Sequence, residues 1–154
     1  MPKILDDIFW MQHALNLARR AYVIGEVPVG AVLIDSSKQI ILGEAWNQVK
    51  SKHDPTAHAE ILAIQAAADK LQTERLEHTI MYSTLEPCCM CAGALVHARV
   101  QRLVFATRDF KSGAAGSVYQ LLKGAPLNHA VWVDEGPLQL ECAAILSDFF
   151  KLLR

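Results

Sequence analysis

A chain of 154 residues, 52% hydrophobic and 20% charged, has the length of one domain and enough apolar material to bury its own core. That composition excludes a disordered, collagen-like or polar linker protein. Fifteen basic against sixteen acidic residues leave a formal charge of -1, so any nucleic-acid contact must come from a local patch.

The elements follow in chain order. Ile8, Met11, Leu15, Ala18 and Tyr22 recur every three or four positions and predict an amphipathic helix that stops near Gly25. Val29 to Asp35 is short and apolar and reads as a buried strand. With Gln39 to Trp46 across a Ser36-Ser37 turn, it predicts an antiparallel hairpin. Asp54-Pro55-Thr56 reads as the start of a second helix with Ile61, Ile64, Ala68 and Leu71 on one face. Thr79 to Thr84 is a third strand, Cys88 to Arg99 a helix of small residues, and Leu103 to Thr107 a fourth strand. A short helix is expected over Ser117 to Lys123, a fifth strand over Ala130 to Val133, and a long closing helix over Leu138 to Leu153. A hairpin followed by alternating helices and strands predicts an α/β fold of three layers, α/β/α, around a central five-stranded mixed sheet. One domain over residues 1–154 is expected, since no repeat or linker interrupts the chain.

Asp6-Asp7 breaks the apolar run that a secretory signal at Met1-Pro2-Lys3-Ile4-Leu5 would need, and no stretch has the length of a membrane span. The expectation is a soluble, cytoplasmic chain with no membrane partner. Disulfides are rarely kept in that compartment, so Cys88, Cys89, Cys91 and Cys142 need another role.

Cys88 and Cys91 form a C-x-x-C pair at a predicted helix start. Residues three apart share a helix face, so both can reach one ion, whereas Cys89 points roughly 100° away. The positive end of the helix favours the thiolate form. His58, at the other predicted helix start, completes a set of two sulfurs and one imidazole, which suits zinc and leaves one position open for water. A lone C-x-x-C also fits a redox pair or half of a structural zinc site. The fourth ligands that a structural site needs would be His53, Cys89, His97 or Cys142, and none has finger or ribbon spacing. Glu60, set among Ala57, Ala59, Ile61 and Leu62, is a carboxylate at a costly position unless it has a role, and an activated water needs a proton carrier.

Together His58-Ala59-Glu60 and Pro87-Cys88-Cys89-Met90-Cys91 match the H-x-E and P-C-x-x-C pattern of zinc nucleobase deaminases. The sequence further resembles the bacterial tRNA-specific adenosine deaminases along nearly its whole length. The likeness runs through Val27-Pro28-Val29-Gly30-Ala31-Val32, Trp46-Asn47, His53 to Glu60, Thr84 to Cys88, Met90 to Ala94, Arg108-Asp109, Gly113 to Ser117 and Leu146 to Phe150. The metal motifs belong to the wider cytidine-deaminase-like superfamily. Gly113 to Ser117 and the closing Ser147-Asp148-Phe149-Phe150 look specific to the tRNA branch.

The resemblance implies a homodimer that binds a tRNA anticodon stem-loop and converts the wobble adenosine of an arginine tRNA to inosine, with one zinc per chain. A metal-activated water attacks C6 of the flipped adenine, and Glu60 moves protons to the ring nitrogen and the departing ammonia. It also implies that Asn47 hydrogen-bonds the nucleoside, that Ala59 offers its backbone N–H to the base, that Val29 and Leu85 shape an apolar wall, and that Asp109 meets the sugar-phosphate. The plainer readings are that Val29 and Leu85 are core and that Asp109 caps a turn. Cys89, Phe110 and Ser112 depart from the pattern without touching an expected ligand. Two alternatives stand beside this one: a deaminase of a free nucleobase or nucleoside (guanine, cytosine or cytidine), and a non-catalytic zinc module.

Residues 97–123 carry Arg99, Arg102, Arg108, Lys111 and Lys123 against Asp109 alone, a charge of +4 that leaves -5 on the rest. Lys50, Lys52 and His53 add a second basic loop. Both are expected to face a single-stranded RNA loop. Phe149 and Phe150 are candidates for stacking a base or for the core.

Overall fold

The computed structural model describes residues 5–124 and 127–153. The reading of Met1 to Ile4 as lacking a secretory signal lies outside them. Four helices and five strands follow one another as α1 Asp7–Val23, β1 Gly30–Asp35, β2 Ile41–Trp46, α2 Ala59–Leu71, β3 Thr79–Leu85, α3 Cys89–His97, β4 Arg102–Thr107, β5 Trp132–Glu135 and α4 Gln139–Leu152.

The strands form one sheet in the order β2-β1-β3-β4-β5. β1 runs antiparallel to both β2 and β3, while β3, β4 and β5 are parallel, so the sheet is mixed as expected. Alternation along the strands divides the core between the two faces. Ala31, Leu33, Met81, Leu103 and Phe105 point to one face with Ala59, Ala63 and Ala67 of α2 and Ala92 and Leu95 of α3. Val32, Ile34, Tyr82, Val104 and Ala106 point to the other, under Trp10, Met11, Ala14 and Leu15 of α1 and Cys142 of α4. Helices therefore cover both faces, and the three-layer α/β/α architecture holds.

Several local expectations give way to tertiary packing. α2 does not begin at Asp54-Pro55-Thr56. Asp54 Oδ1 accepts from the Thr56 backbone N–H (2.8 Å) and hydroxyl (2.7 Å), which closes a turn before the helix. The face that α2 buries is Ala59, Glu60, Ala63 and Ala67, whereas Ile64 and Ala68 are half-buried and Leu71 is exposed. Small side chains win there because β2 presents Gly43 opposite them. A Cβ on Gly43 would lie 2.2 Å from the Ala63 carbonyl oxygen, so helix and strand backbones are nearly in contact. Ile8, expected on the apolar face of α1, is exposed.

Ser117 to Lys123 is not a helix. Gly116 has φ +124°, its N–H bonds to the Tyr119 carbonyl at 2.9 Å, and Ala115 bridges Gln120, so the segment is a tight turn anchored by the buried Leu122. β5 lies two residues later than expected, because the Val131 N–H bonds to the Leu122 carbonyl (2.8 Å) rather than joining the ladder.

Candidate active site

Everything expected of the site gathers at one end of the sheet. β3 and β4 finish there at Leu85 and Thr107. β1, antiparallel to β3, starts there after Val29, and β2 finishes there before Asn47. α2 and α3 begin at the same end, with His58 and Cys88 as their N-caps. Loop ends around the carboxyl edge of parallel strands are where open α/β sheets place their ligands.

His58 Nδ1 lies 3.6 Å from Cys88 Sγ and 3.5 Å from Cys91 Sγ. Among the described residues these three form a group whose ligand atoms all fall within 4.8 Å of one another, and His53, His97, Cys89 and Cys142 are not part of it. Cys89 is exposed and Cys142 is buried under α1, both as free cysteines. One imidazole and two thiolates are the donor set of zinc, and three protein ligands are the count of sites that leave a position for water.

The electrostatics agree with that donor set. A hydrogen bond from Cys91 holds the Cys88 thiol down at about 4, and the same bond, with burial, pushes Cys91 up. The hydrogen bond between His58 and Cys88 raises His58. A divalent cation held by these residues would take the place of the proton the two sulfurs share. Glu60, in the first turn of α2, is 4% exposed, and burial raises its carboxyl above the ordinary range. A carboxyl so placed holds a proton more readily than a surface glutamate, which is what a proton carrier needs.

A cavity of about 350 Å³ opens over this group. Val29, Asn47, Ala59, Leu85 and Asp109 all line it, together with His58, Glu60 and Cys88. Val29 and Leu85 also pack into the core, so wall and core are the same side chains. Ala59 is the first residue of α2, and its N–H is one of the four without an intrahelical acceptor. Asn47 is buried; its Nδ2 donates to the Val27 carbonyl at 3.3 Å, while its Oδ1 is buried with no protein donor. Asp109 caps its own turn, accepting from the Lys111 and Ser112 N–H groups at 3.0 and 3.2 Å and from the Ser112 hydroxyl at 2.8 Å. It meets the cavity as well.

Two carboxylates at the cavity escape the sequence reading. Glu26 accepts from the Lys50 N–H (3.0 Å) and from the Ser51 N–H and hydroxyl (2.7 Å each), which ties down the loop after Asn47. Burial opposes its charge, but the bonds from Ser51 and Lys50 outweigh it and hold the carboxyl low. Glu86 binds the loop after Asp109. It carries the one charge between Thr79 and Ala98, a signal that could have marked it, whereas nothing around Glu26 distinguishes it.

The basic segment is not one surface. Arg102 is held by Asp7 (2.9 Å) and Asp134 (2.8 Å), and Arg108 pairs with Glu135 at 2.6 Å. Arg99 and Lys123 line depressions at the other end of the strands, beside the starts of β4 and β5. Lys50 reaches the cavity itself, and Lys111 sits in the turn that Asp109 caps. Phe149 packs on Tyr22 in the core, and Phe150 is exposed.

The model of the cytidine and deoxycytidylate deaminase zinc-binding region matches residues 5–107. The tRNA-specific adenosine deaminase of Haemophilus influenzae is 48% identical over 94% of this chain and 83% of its own. A solved structure from a study of A-to-I editing by tRNA:A34 deaminases at the wobble position of transfer RNA is 39% identical, covers 90% of this chain and 99% of that one, and superposes with a TM-score of 0.86. A guanine deaminase from Bacillus subtilis is 27% identical over 93% of each chain, with a TM-score of 0.64. The chain belongs to the tRNA-specific adenosine deaminases, within the wider family that shares the cytidine and deoxycytidylate deaminase zinc-binding region.

Proposed function

We propose that this chain hydrolyses adenosine to inosine at the wobble position of a tRNA anticodon, arginine tRNA being its substrate and ammonia its second product. What supports the reading most is a cavity lined by a buried Glu60 over the convergent His58, Cys88 and Cys91, in a chain this similar to a tRNA-specific adenosine deaminase. Zinc, one ion per chain held by His58, Cys88 and Cys91, supplies Lewis acidity that makes a water nucleophilic near neutral pH.

The chain's own groups do the rest. Glu60 accepts a proton from the attacking water and passes it to the ring nitrogen beside C6, then takes the remaining proton of the new C6 hydroxyl and delivers it to the amine as the C6–N bond breaks. Adenosine and water thus become inosine and ammonia with atoms and charge balanced. Asn47 Oδ1, buried and unpartnered, accepts a hydrogen bond from the nucleoside, and the free Ala59 N–H donates one to the base. Val29 and Leu85 hold the flipped ring between apolar surfaces, and Asp109 meets the sugar-phosphate at the mouth. A cavity of about 350 Å³ lies in the range of pockets that enclose small ligands.

The protein is further proposed to be a single cytoplasmic domain that works as a homodimer. Native mass measurement checks the dimer, with about twice the 17.0 kDa of the chain expected. No described helix is long and apolar enough to cross a membrane.

A free purine base would also fit between Val29 and Leu85. The deciding experiment offers the purified enzyme an anticodon stem-loop of arginine tRNA and, separately, free adenosine, adenine, guanine, cytosine and cytidine, with inosine and ammonia as readouts. Inosine at the wobble position is expected. Turnover of a free base or nucleoside with none of the stem-loop overturns the reading.

A further inference from the structure

Glu86 is 1% exposed, yet it lies between a substrate wall residue, Leu85, and the turn that carries Cys88. Its carboxylate is fully used. Oε1 accepts from the Asp109 N–H at 3.1 Å and from the Ser117 hydroxyl, while Oε2 accepts from the Ala115 N–H at 2.9 Å and the Ser117 N–H at 3.1 Å. Four donors match the acceptor capacity of a carboxylate, so this buried charge is satisfied by one loop alone. Its backbone joins in: the Glu86 N–H bonds to the Thr107 carbonyl at 2.9 Å, and the Pro87 carbonyl accepts from Ala114 at 2.8 Å.

Gly113 shows how closely the loop wraps this side chain. A Cβ there would lie 2.4 Å from Glu86 Cδ and 2.5 Å from the Asp109 carbonyl oxygen, too near for any residue but glycine. The loop that Glu86 gathers is the one that presents Asp109 and Ser112 to the cavity. Asp109 in turn ties its own corner to Ser112. The substrate-facing corner is therefore tied within itself, and one buried carboxylate makes most of its bonds to the strand end, beside the Ala114 to Pro87 backbone bond.

We propose that Glu86 is a positioning residue: its carboxylate fixes the Asp109–Ser117 loop to the strand end and turn that lead into the metal ligands, and so sets where Asp109 and Ser112 stand against the RNA. It lines the cavity, but its oxygens are taken by the loop rather than left for substrate, and it is not one of the convergent metal ligands. It sets how well RNA binds rather than how fast the bound base reacts. This rests on the tRNA adenosine deaminase reading of the same cavity. Glutamine in its place keeps the volume but offers an NH2 group to donors that need an acceptor, so part of the set is lost. Ser117→Ala removes one of the four donors to Glu86 and, with it, the acceptor of an Arg108 N–H (3.1 Å), and leaves the other three donors.

The test measures steady-state inosine formation on the anticodon stem-loop, zinc per chain, and thermal melting for the parent, Glu86→Gln and Ser117→Ala. Expected for Glu86→Gln are unchanged zinc, kcat within about threefold, and KM raised about tenfold or more, with a smaller KM rise for Ser117→Ala. A purely structural role would lower the melting temperature and leave KM alone. That result, a loss of zinc in step with activity, or a fall in kcat at constant KM overturns the proposal. If Glu86→Gln does not fold, Ser117→Ala decides, and a parental KM there overturns it. Failure of the parent itself to form inosine in the stem-loop refutes the functional reading instead, so the two outcomes are told apart by the parent enzyme.

Discussion

The near-contact of α2 with β2 makes Gly43 a lever on a site it does not touch. In Gly43→Ala the new Cβ would sit 2.2 Å from the Ala63 carbonyl oxygen and 2.8 Å from the Ala67 N. Both neighbours are helix backbone and cannot swing aside as a side chain would. Ordinary contact begins at 3.4 Å, so α2 must retreat by about 1.2 Å. Overpacking of that kind costs about 1–3 kcal/mol. At about 2–4 °C per kcal/mol for a domain of this size, the melting temperature should fall by several degrees. α2 carries Glu60 in its first turn and His58 at its N-cap, and a misplacement near 1 Å can cost about 10²-fold in rate. Circular dichroism melting, zinc content and stem-loop turnover measure the three consequences. Gly93→Ala on α3 is the control, since nothing lies within 4 Å of its Cβ. It should stabilise by about 0.5–1 kcal/mol, as alanine does in a helix. A Gly43→Ala protein that melts with the parent and turns over at its full rate would refute the packing argument.

Other outcomes are specific enough to check. Glu60→Ala should keep its zinc by elemental analysis yet lose about 10²–10⁴-fold in deamination, and a fully active variant would remove Glu60 from the proton path. Cys88→Ser and Cys91→Ser should lose zinc while Cys89→Ser keeps it; chelation should abolish turnover and added zinc restore it. Loss of metal in Cys89→Ser would contradict the ligand geometry. In acid, the pair between Asp7 and Arg102 should fail. The Arg102 hydrogen bonds, helped by Tyr82 and opposed by burial, hold the Asp7 carboxyl below its ordinary 3.8. A depressed carboxyl contributes its stability above the unfolded value and loses it as pH falls through the folded one. Asp7→Asn should therefore be less stable than the parent at pH 7, by about 1 kcal/mol or less because the pair is partly exposed, and the gap should close below pH 3.8. A gap unchanged at low pH would show that the charge is not its source.

Patterns that depend on a residue and its near neighbours were legible in the sequence. The spacing of His58, Glu60, Cys88 and Cys91 is read directly because two helix N-termini set their side chains, and a short apolar run followed by a turn located the buried hairpin. What failed depended on distant partners. The isoleucine-rich side of α2 looked like its inner face, and only Gly43, sixteen residues before Ala59, makes alanine the better fit. Ser117 to Lys123 has apolar residues at helical spacing, but the buried Glu86 across the chain claims the Ser117 and Ala115 N–H groups and bends that loop into a bridge. The basic run misled for a related reason. A linear charge count cannot see that Asp7, Asp134 and Glu135 neutralise Arg102 and Arg108, or that Arg99 and Lys123 belong to the far end of the sheet. What remains near the cavity is Lys50 and Lys111, and any attraction for an RNA loop comes from few charges close to the base rather than from a broad basic face.

The two ligand-bearing helices share an unusual economy. Both N-caps are extended, His58 at φ -72°, ψ 151° and Cys88 at φ -74°, ψ 178°, and neither side chain caps its helix. A serine or aspartate at each position would stabilise its helix by about 1 kcal/mol. The chain forgoes both bonds, and the same choice has two consequences. The freed side chains turn away from their own helices and meet within 4 Å of one another. The positive ends of two helix dipoles remain directed at a place where the Cys88 thiolate and the Glu60 carboxyl gather, which offsets charge that burial would otherwise reject. Beside them the Ala59 N–H, the first of α2, has no intrahelical acceptor and lies at the cavity wall. Replacing either N-cap with a better one would therefore strengthen a helix and empty the site at once. Stability and chemistry compete here for the same two backbone positions, and the sequence has been settled in favour of chemistry.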